Sequence, residues 1–152
     1  MSMKAIKLLL TAAVASFALA SYATAGAGWM TDIDSALTKA KKEKKNVLVE
    51  FTGSDWCPPC IMMEDKVFSK KKFTDAAKKN FILVKIDIPK KDKALKKKNS
   101  EVMRKYRVSG VPTVLLFGDD GSEFHRFTAS QFPSVETFLA HLDESLEKKD
   151  LD

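Results

Sequence analysis

The stretch Phe51-Thr52-Gly53-Ser54-Asp55-Trp56-Cys57-Pro58-Pro59-Cys60 holds the only two cysteines of the 152-residue chain. It follows the apolar, β-branched run Val47-Leu48-Val49-Glu50-Phe51 and opens a segment with helical spacing. Two cysteines separated by two residues at a strand-to-helix junction read as a redox pair. The helix N-terminus presents unsatisfied N–H groups and a positive dipole to the first sulfur. That setting lowers a thiol's pKa below its free value of roughly 8.5 and makes thiolate available near neutral pH. Pro58 suits the first helical turn, because its missing N–H would have no helical partner.

Three other chemistries compete for the pair. A structural staple closing a loop of about four residues would stabilise the fold by only ~2 kcal/mol. Zinc requires three or four protein ligands, and the only other candidates, His125 and His141, stand at no recognisable spacing. Copper(I) on Cys57, Cys60, Met62 and Met63 is the softer alternative and stays open, although methionines so placed commonly fill a core. Ile61 stands where c-type haem attachment needs a histidine. No cofactor and no metal is therefore expected.

At the start of the chain, Lys4 and Lys7 precede an apolar run from Leu8 to Ala20 and the small-residue triplet Ala23-Thr24-Ala25. This is the pattern of a secretory signal peptide cleaved near Ala25, and the apolar run is too short for a membrane span of roughly 20 residues. Residues 1–25 are read as the signal and 26–152 as one mature domain, periplasmic or secreted. Outside the cytosol disulfides persist, so a lone cysteine pair there fits a protein that manages disulfides better than one held together by them.

The formal net charge of +6 comes from lysine clusters, and only Arg104, Arg107 and Arg126 are arginines. Nucleic-acid contact favours arginine forks and stacking aromatics, so nucleic acid is excluded as a partner. Solvated helix faces and a charged loop are the leading account of the clusters, with weak attraction to acidic partners or anionic membrane surfaces as the alternative.

The mature chain reads in order as helix, strand, helix, helix, strand, helix, strand, strand, helix. Trp29 anchors the core ahead of a first helix capped by Thr31 and running to about Lys45. The second helix runs from Cys57 to about Phe68, and a third spans Lys70 to Lys79. Phe81 to Asp87 is a buried strand interrupted by Lys85. A lysine-rich connection from Pro89 to Lys98 leads to a helix capped by Asn99 or Ser100 and ending at Ser109-Gly110. Thr113 to Phe117 and Glu123 to Thr128 form a hairpin about Asp119-Asp120-Gly121, with Phe124 and Phe127 on different faces. Ser134 caps a last helix whose charged tail beyond Glu147 is expected to fray. A βαβ unit followed by a ββα unit gives an α/β fold, a mixed central sheet with helices on both faces.

This order, with Trp56-Cys57-Pro58-Pro59-Cys60 after the first strong strand and Gly110-Val111-Pro112-Thr113 before the hairpin, resembles the thioredoxin fold. The likeness runs from about Trp29 to Leu146. The Phe-Thr-Gly-Ser-Asp-Trp-Cys run is similar to a branch of exported bacterial thioredoxin-like oxidoreductases.

The resemblance implies that Cys57 is the attacking thiolate and Cys60 the buried resolving thiol. It implies a cis peptide bond before Pro112, with Val111 offering its backbone to an extended substrate, and an apolar platform of Trp56, Pro59, Gly110 and Val111. It also implies a buried acid that moves the resolving thiol's proton. Glu50 is the candidate, one residue farther from Cys57 than the family's usual six, with Lys85 as its partner. A buried Glu and Lys must pair or shift pKa; the alternative is that both reach solvent. Asp55 is expected to be an exposed loop residue. The partners implied are protein thiols and disulfides and an unidentified redox protein that recycles the pair, and a monomer is the default. Pro58 and Pro59 give the first sulfur no N–H, which disfavours a strong oxidant relative to a reductant or isomerase.

Overall fold

The computed structural model describes residues 28–151; the expected signal segment lies outside the described residues. The elements are α1 (Ile33–Glu43), β1 (Asn46–Thr52), α2 (Pro58–Met63), a π-helical turn (Glu64–Phe68), α3 (Lys71–Ala77), β2 (Phe81–Asp87), α4 (Lys93–Lys105), β3 (Thr113–Phe117), β4 (Glu123–Thr128), a short 3₁₀ turn (Ala129–Gln131) and α5 (Val135–Leu151). The strands stand in the order β2-β1-β3-β4. β1 and β2 are parallel, and β1–β3 and β3–β4 are antiparallel. No helix of the described residues is long and apolar enough to cross a membrane.

Alternation along the strands divides the core in two. Leu48, Leu83, Val114 and Leu116 face α2, α3 and α5, where Trp29, Met63, Phe68, Phe73 and Phe138 pack. Val47, Val49, Phe51, Val84, Ile86 and Leu115 face α1 and α4. β1 is central and buried on both faces, which is why its sequence from Val47 to Phe51 is apolar except at Glu50. Glu50 shares the parity of Leu48 and therefore lies on the α2 face.

Several local expectations are corrected. Asp32, not Thr31, caps α1: its Oδ1 accepts the Ser35 N–H at 2.7 Å, and its backbone is extended. From Lys93 onward the lysine-rich segment is helix, not connection, while 89–92 remain a connection. Asp92 caps α4 by accepting the Leu95 N–H at 2.9 Å, and lysine is a good helix former. Asn99 is consequently mid-helix and buried, its amide donating to the Asp87 carbonyl at 2.6 Å. α4 ends at Lys105, short of Ser109-Gly110, and just beyond its cap Tyr106 the chain turns at Arg107 with φ 53°. There the Arg126 guanidinium donates to the Tyr106 and Arg107 carbonyls at 3.2 Å each, satisfying groups the ended helix leaves open.

Phe124 and Phe127 both reach the α5-side core, because an irregularity at Leu116/Phe117 pairs Phe117 with Glu123 and Leu116 with His125, so that β4 carries one extra residue. The tail does not fray. α5 continues to Leu151, and Lys149 donates to Asn46 Oδ1 at 3.0 Å while lying over the Phe124 ring.

Candidate functional site

β1 ends at Thr52 and the chain turns at Gly53, whose carbonyl accepts the N–H groups of Trp56 at 3.3 Å and Cys57 at 3.0 Å. A side chain at Gly53 would meet the Trp56 ring at 2.5–2.8 Å, so glycine is what lets the indole fold back over the turn. The turn delivers Cys57 to the N-cap position of α2 and Cys60 to its first full turn.

The two cysteines form a disulfide. Cys60 donates its backbone N–H to Cys57 Sγ at 3.3 Å. With Pro58 and Pro59 in between, no N–H comes from either intervening residue. Cys60 has no exposed surface and Cys57 retains 3%. Cys57 is thus the more accessible member, yet in this oxidised state far less exposed than a sulfur at a bare helix tip.

The Val111–Pro112 peptide bond is cis, and the Val111 carbonyl oxygen lies 3.9 Å from Cys57 Sγ. The structure therefore brings the second expected loop to the first sulfur. Pro112 is buried, Val111 half-buried, and Pro59 and Gly110 exposed. Trp56 is 38% exposed and Ile61 48%, so the surface around the pair is apolar and open. Trp56 is not a core residue: its Nε1–H donates to the Ile88 carbonyl at 2.7 Å, and Lys90 Nζ lies 5.2 Å from its ring centroid.

Behind Cys60 the surroundings change. Glu50 is fully buried, and neither carboxyl oxygen has a hydrogen-bond partner among the described residues. Its strand register pairs it with Lys85, whose Nζ is 3.9 Å from Glu50 Oε2 and 2.5 Å from Glu64 Oε2. The expected Glu50–Lys85 couple is present, but Lys85 is shared with a second carboxylate.

Burial pushes the Glu50 carboxyl up to about 8; Lys85 opposes the rise, while Glu64 and Asp87 add to it. Cys60, Ile61, Glu64 and Lys85 border one cavity of about 430 Å³.

Two contributions went unread in the sequence. Glu64 begins the π-helical turn, four residues after Cys60, and that spacing on a helix already placed it near the cysteine face. Asp55, expected to be an exposed loop residue, is half-buried: its two carboxyl oxygens accept the N–H groups of Lys90 and Lys91 at 2.8 and 2.9 Å, and these bonds hold it below the usual carboxylate range. Nothing local in sequence announces bonds to residues 35 positions away.

The copper alternative loses part of its donor set, because Met63 is fully buried in the α5-side core. Among the described residues, no group of three or more His, Cys, Asp and Glu side chains could hold a metal ion.

Residues 28–118 match the thioredoxin-like family, and the chain belongs to it. It is 33% identical over 114 residues to thioredoxin H-type of Oryza sativa subsp. indica, covering 73% of this chain and 80% of that one. It is 32% identical over 94 residues to the disulfide bond reductase DsbH of Chlamydia pneumoniae, covering 60% of this chain. It spans 57% of that reductase's length, and 35% and 19% of the lengths of two further bacterial relatives. The solved DsbH oxidoreductase superposes with a TM-score of 0.69 at 26% identity, covering 82% of this chain and 87% of that one.

Proposed function

We propose that the protein is a thiol-disulfide oxidoreductase acting on protein disulfides in an exported compartment, as a reductant or isomerase more than as a strong oxidant. The observation that carries this is the asymmetry of the pair: Cys57 caps a helix and accepts the Cys60 N–H, while Cys60 has no exposed surface.

In the reduced protein, Cys57 thiolate attacks one sulfur of a substrate disulfide. One S–S bond forms, the substrate's breaks, and one substrate thiolate leaves. Cys60, once deprotonated, attacks Cys57 Sγ, and the second substrate thiolate leaves. The substrate has gained two electrons and the Cys57–Cys60 disulfide is formed. A dithiol protein must then reduce that disulfide for another turn, with the proton and electron flow reversed. Trp56, Pro59, Gly110, Val111 and Pro112 form the surface on which an extended substrate lies, with the Val111 backbone available to pair with it.

Glu50 is assigned as the positioning acid behind Cys60. Protonated near neutral pH by its burial, it exchanges a proton with the resolving thiol, while Lys85 and Glu64 set how readily it ionises. The missing N–H donors at Pro58 and Pro59 leave the Cys57 thiolate with one local backbone donor, which supports the reducing direction. The name of the relative DsbH, a disulfide bond reductase, supports the same direction. The signal-like segment ending near Ala25 supports export, and a monomer remains the default.

Insulin reduction by dithiothreitol tests the reading. The wild type is expected to accelerate it, Cys57→Ser to abolish the acceleration, and Cys60→Ser to accumulate a mixed disulfide visible by non-reducing electrophoresis. Equal rates with wild type and Cys57→Ser would sink it.

A further inference from the structure

Six of the nine residues from Lys90 to Lys98 are lysines, and all six are exposed. Asp92, the one acid among them, is occupied in capping α4. The ion pairs of the described residues engage none of the six. Lys93, Lys96 and Lys97 stand three and four residues apart in the first turns of α4, where like charges repel and the helix dipole is itself positive. The cluster thus opposes the helix that carries it, and negative charge supplied from outside would relieve that opposition.

The strip is also fastened to the redox loop. Asp55 accepts the N–H groups of Lys90 and Lys91, and Trp56 donates to the Ile88 carbonyl. Ser54 donates its N–H and hydroxyl to the two carboxyl oxygens of Asp87, at 3.0 and 2.5 Å. Asn99 of α4 donates to the Asp87 carbonyl at 2.6 Å. Lys90 lies over the Trp56 ring. The loop that presents Cys57 and the lysine strip are therefore one hydrogen-bonded body.

We propose that residues 90–98 form a docking surface for the acidic face of a protein redox partner, one carrying carboxylates beside its own cysteine pair, and that the strip steers this partner onto Cys57. The inference rests on the oxidoreductase reading and adds to it the charge of the partner. A protein fits better than a lipid surface, because the strip adjoins Trp56 and the disulfide, and a membrane lying on it would crowd the face that another protein's sulfur must reach. Opposite charge at such a surface raises the encounter rate and is screened by salt.

The test uses two peptides with the same internal disulfide, flanked by glutamates in one and by lysines in the other. Their reduction by the reduced full-length protein is followed at about 20 mM and about 0.5 M NaCl, each rate being taken relative to that with uncharged bis(2-hydroxyethyl) disulfide. At low salt the glutamate peptide is expected to react about 10-fold faster or more, and at high salt the gap should close to within about twofold. A Lys93→Glu/Lys96→Glu/Lys97→Glu variant should lose the preference. A charge-matched variant of remote exposed positions, Lys41→Glu/Lys42→Glu/Lys79→Glu, should keep it.

Equal rates with the two peptides at low salt would overturn the proposal. So would a preference that survives in the strip variant or vanishes equally in the remote one. Retention on phosphatidylglycerol vesicles without any peptide preference would overturn it in favour of a lipid surface. Failure to reduce even the uncharged disulfide would count against the oxidoreductase reading alone. Docking is then decided by fluorescence anisotropy with serine-for-cysteine versions of both peptides: about 10-fold tighter binding of the glutamate peptide supports it, and equal binding overturns it.

Discussion

The front and back of the Cys57–Cys60 pair are built on opposite principles. At the front, hydrogen bonds are plentiful and side chains are open: Gly53, Asp55, Trp56 and Asp87 fasten the loop through polar contacts, while Trp56 and Ile61 remain exposed. At the back, packing is tight and polar satisfaction is withheld. Glu50 is buried without a hydrogen-bond partner, its nearest cation is drawn towards Glu64, and Trp29 and Phe68 pack edge to face in the core on the same side of the sheet. Two identical side chains, three residues apart, are thereby given different environments. In the proposed function the front is the surface on which a partner lands, and at the back burial pushes the Glu50 carboxyl up, so that it keeps its proton near neutral pH.

The largest stability effect is expected at the back. Trp29 packs on Phe68 and Phe73, and Lys85 lies over its ring. Trp29→Ala should cost about 3–5 kcal/mol in urea unfolding, the range for removing a buried aromatic. A loss below about 1 kcal/mol would mean that the back is not tightly packed.

Glu50→Gln probes the withheld hydrogen bonds. In the folded protein Glu50 ionises at about 8 against an ordinary 4.5, so across that window the folded state binds more protons than the unfolded one. The stability it contributes is complete below about 4.5 and falls as pH rises towards about 8. The wild type should lose stability over this range, on the order of a few kcal/mol, and the variant should show a flatter profile. Parallel melting-temperature profiles would show that Glu50 ionises normally.

Asn99→Ala probes the front. It removes the amide that ties α4 to the Asp87 carbonyl and should cost about 1–2 kcal/mol, while leaving the pH profile of stability unchanged. A change in the pH profile would mean that front and back are not independent.

The smallest effect is expected at a site remote from both. His125 and His141 stand Nε2 to Nε2 at 3.1 Å, and burial holds both below the usual imidazole range; Lys148 also opposes protonation of both, His125 opposes that of His141, and Glu144 favours it. The folded state then binds fewer protons, so their contribution is present above pH 6.5 and is lost on acidification. Acidifying from about pH 7 to about 5.5 should therefore lower the wild-type melting temperature more than that of His141→Gln.

Legibility in the sequence followed the range of the forces involved. β2, β3 and β4 were expected within the bounds observed, because alternation and hairpin signals act over a few residues. The boundary of α4 was misplaced because Asp92 and Asn99 are both credible caps. Only the Asp87 carbonyl, packed against the middle of the helix, makes Asn99 an interior residue. The faces of Phe124 and Phe127 were misjudged because an extra residue in one strand shows only against its partner. At the site, Cys57, Cys60, Trp56, Val111 and Pro112 were named from motif and resemblance, and Glu50 with Lys85 from the resemblance. Glu64 and Asp55 escaped, since each acts on a residue at least 21 positions away.

The amino-acid sequence by itself determined the chemistry available: two thiols at a helix start, a proline-bearing second loop, and strands apolar enough to be covered on both faces. These are local matters of dipole, backbone freedom and hydrophobic period, and a chain carries them wherever it folds. Only the tertiary structure decided which sulfur is sealed, that Lys85 is shared between two carboxylates, and that the lysines of α4 stand beside the redox loop. Burial and Coulomb interactions depend on distances between segments far apart in the chain, and those distances exist only once the sheet has assembled.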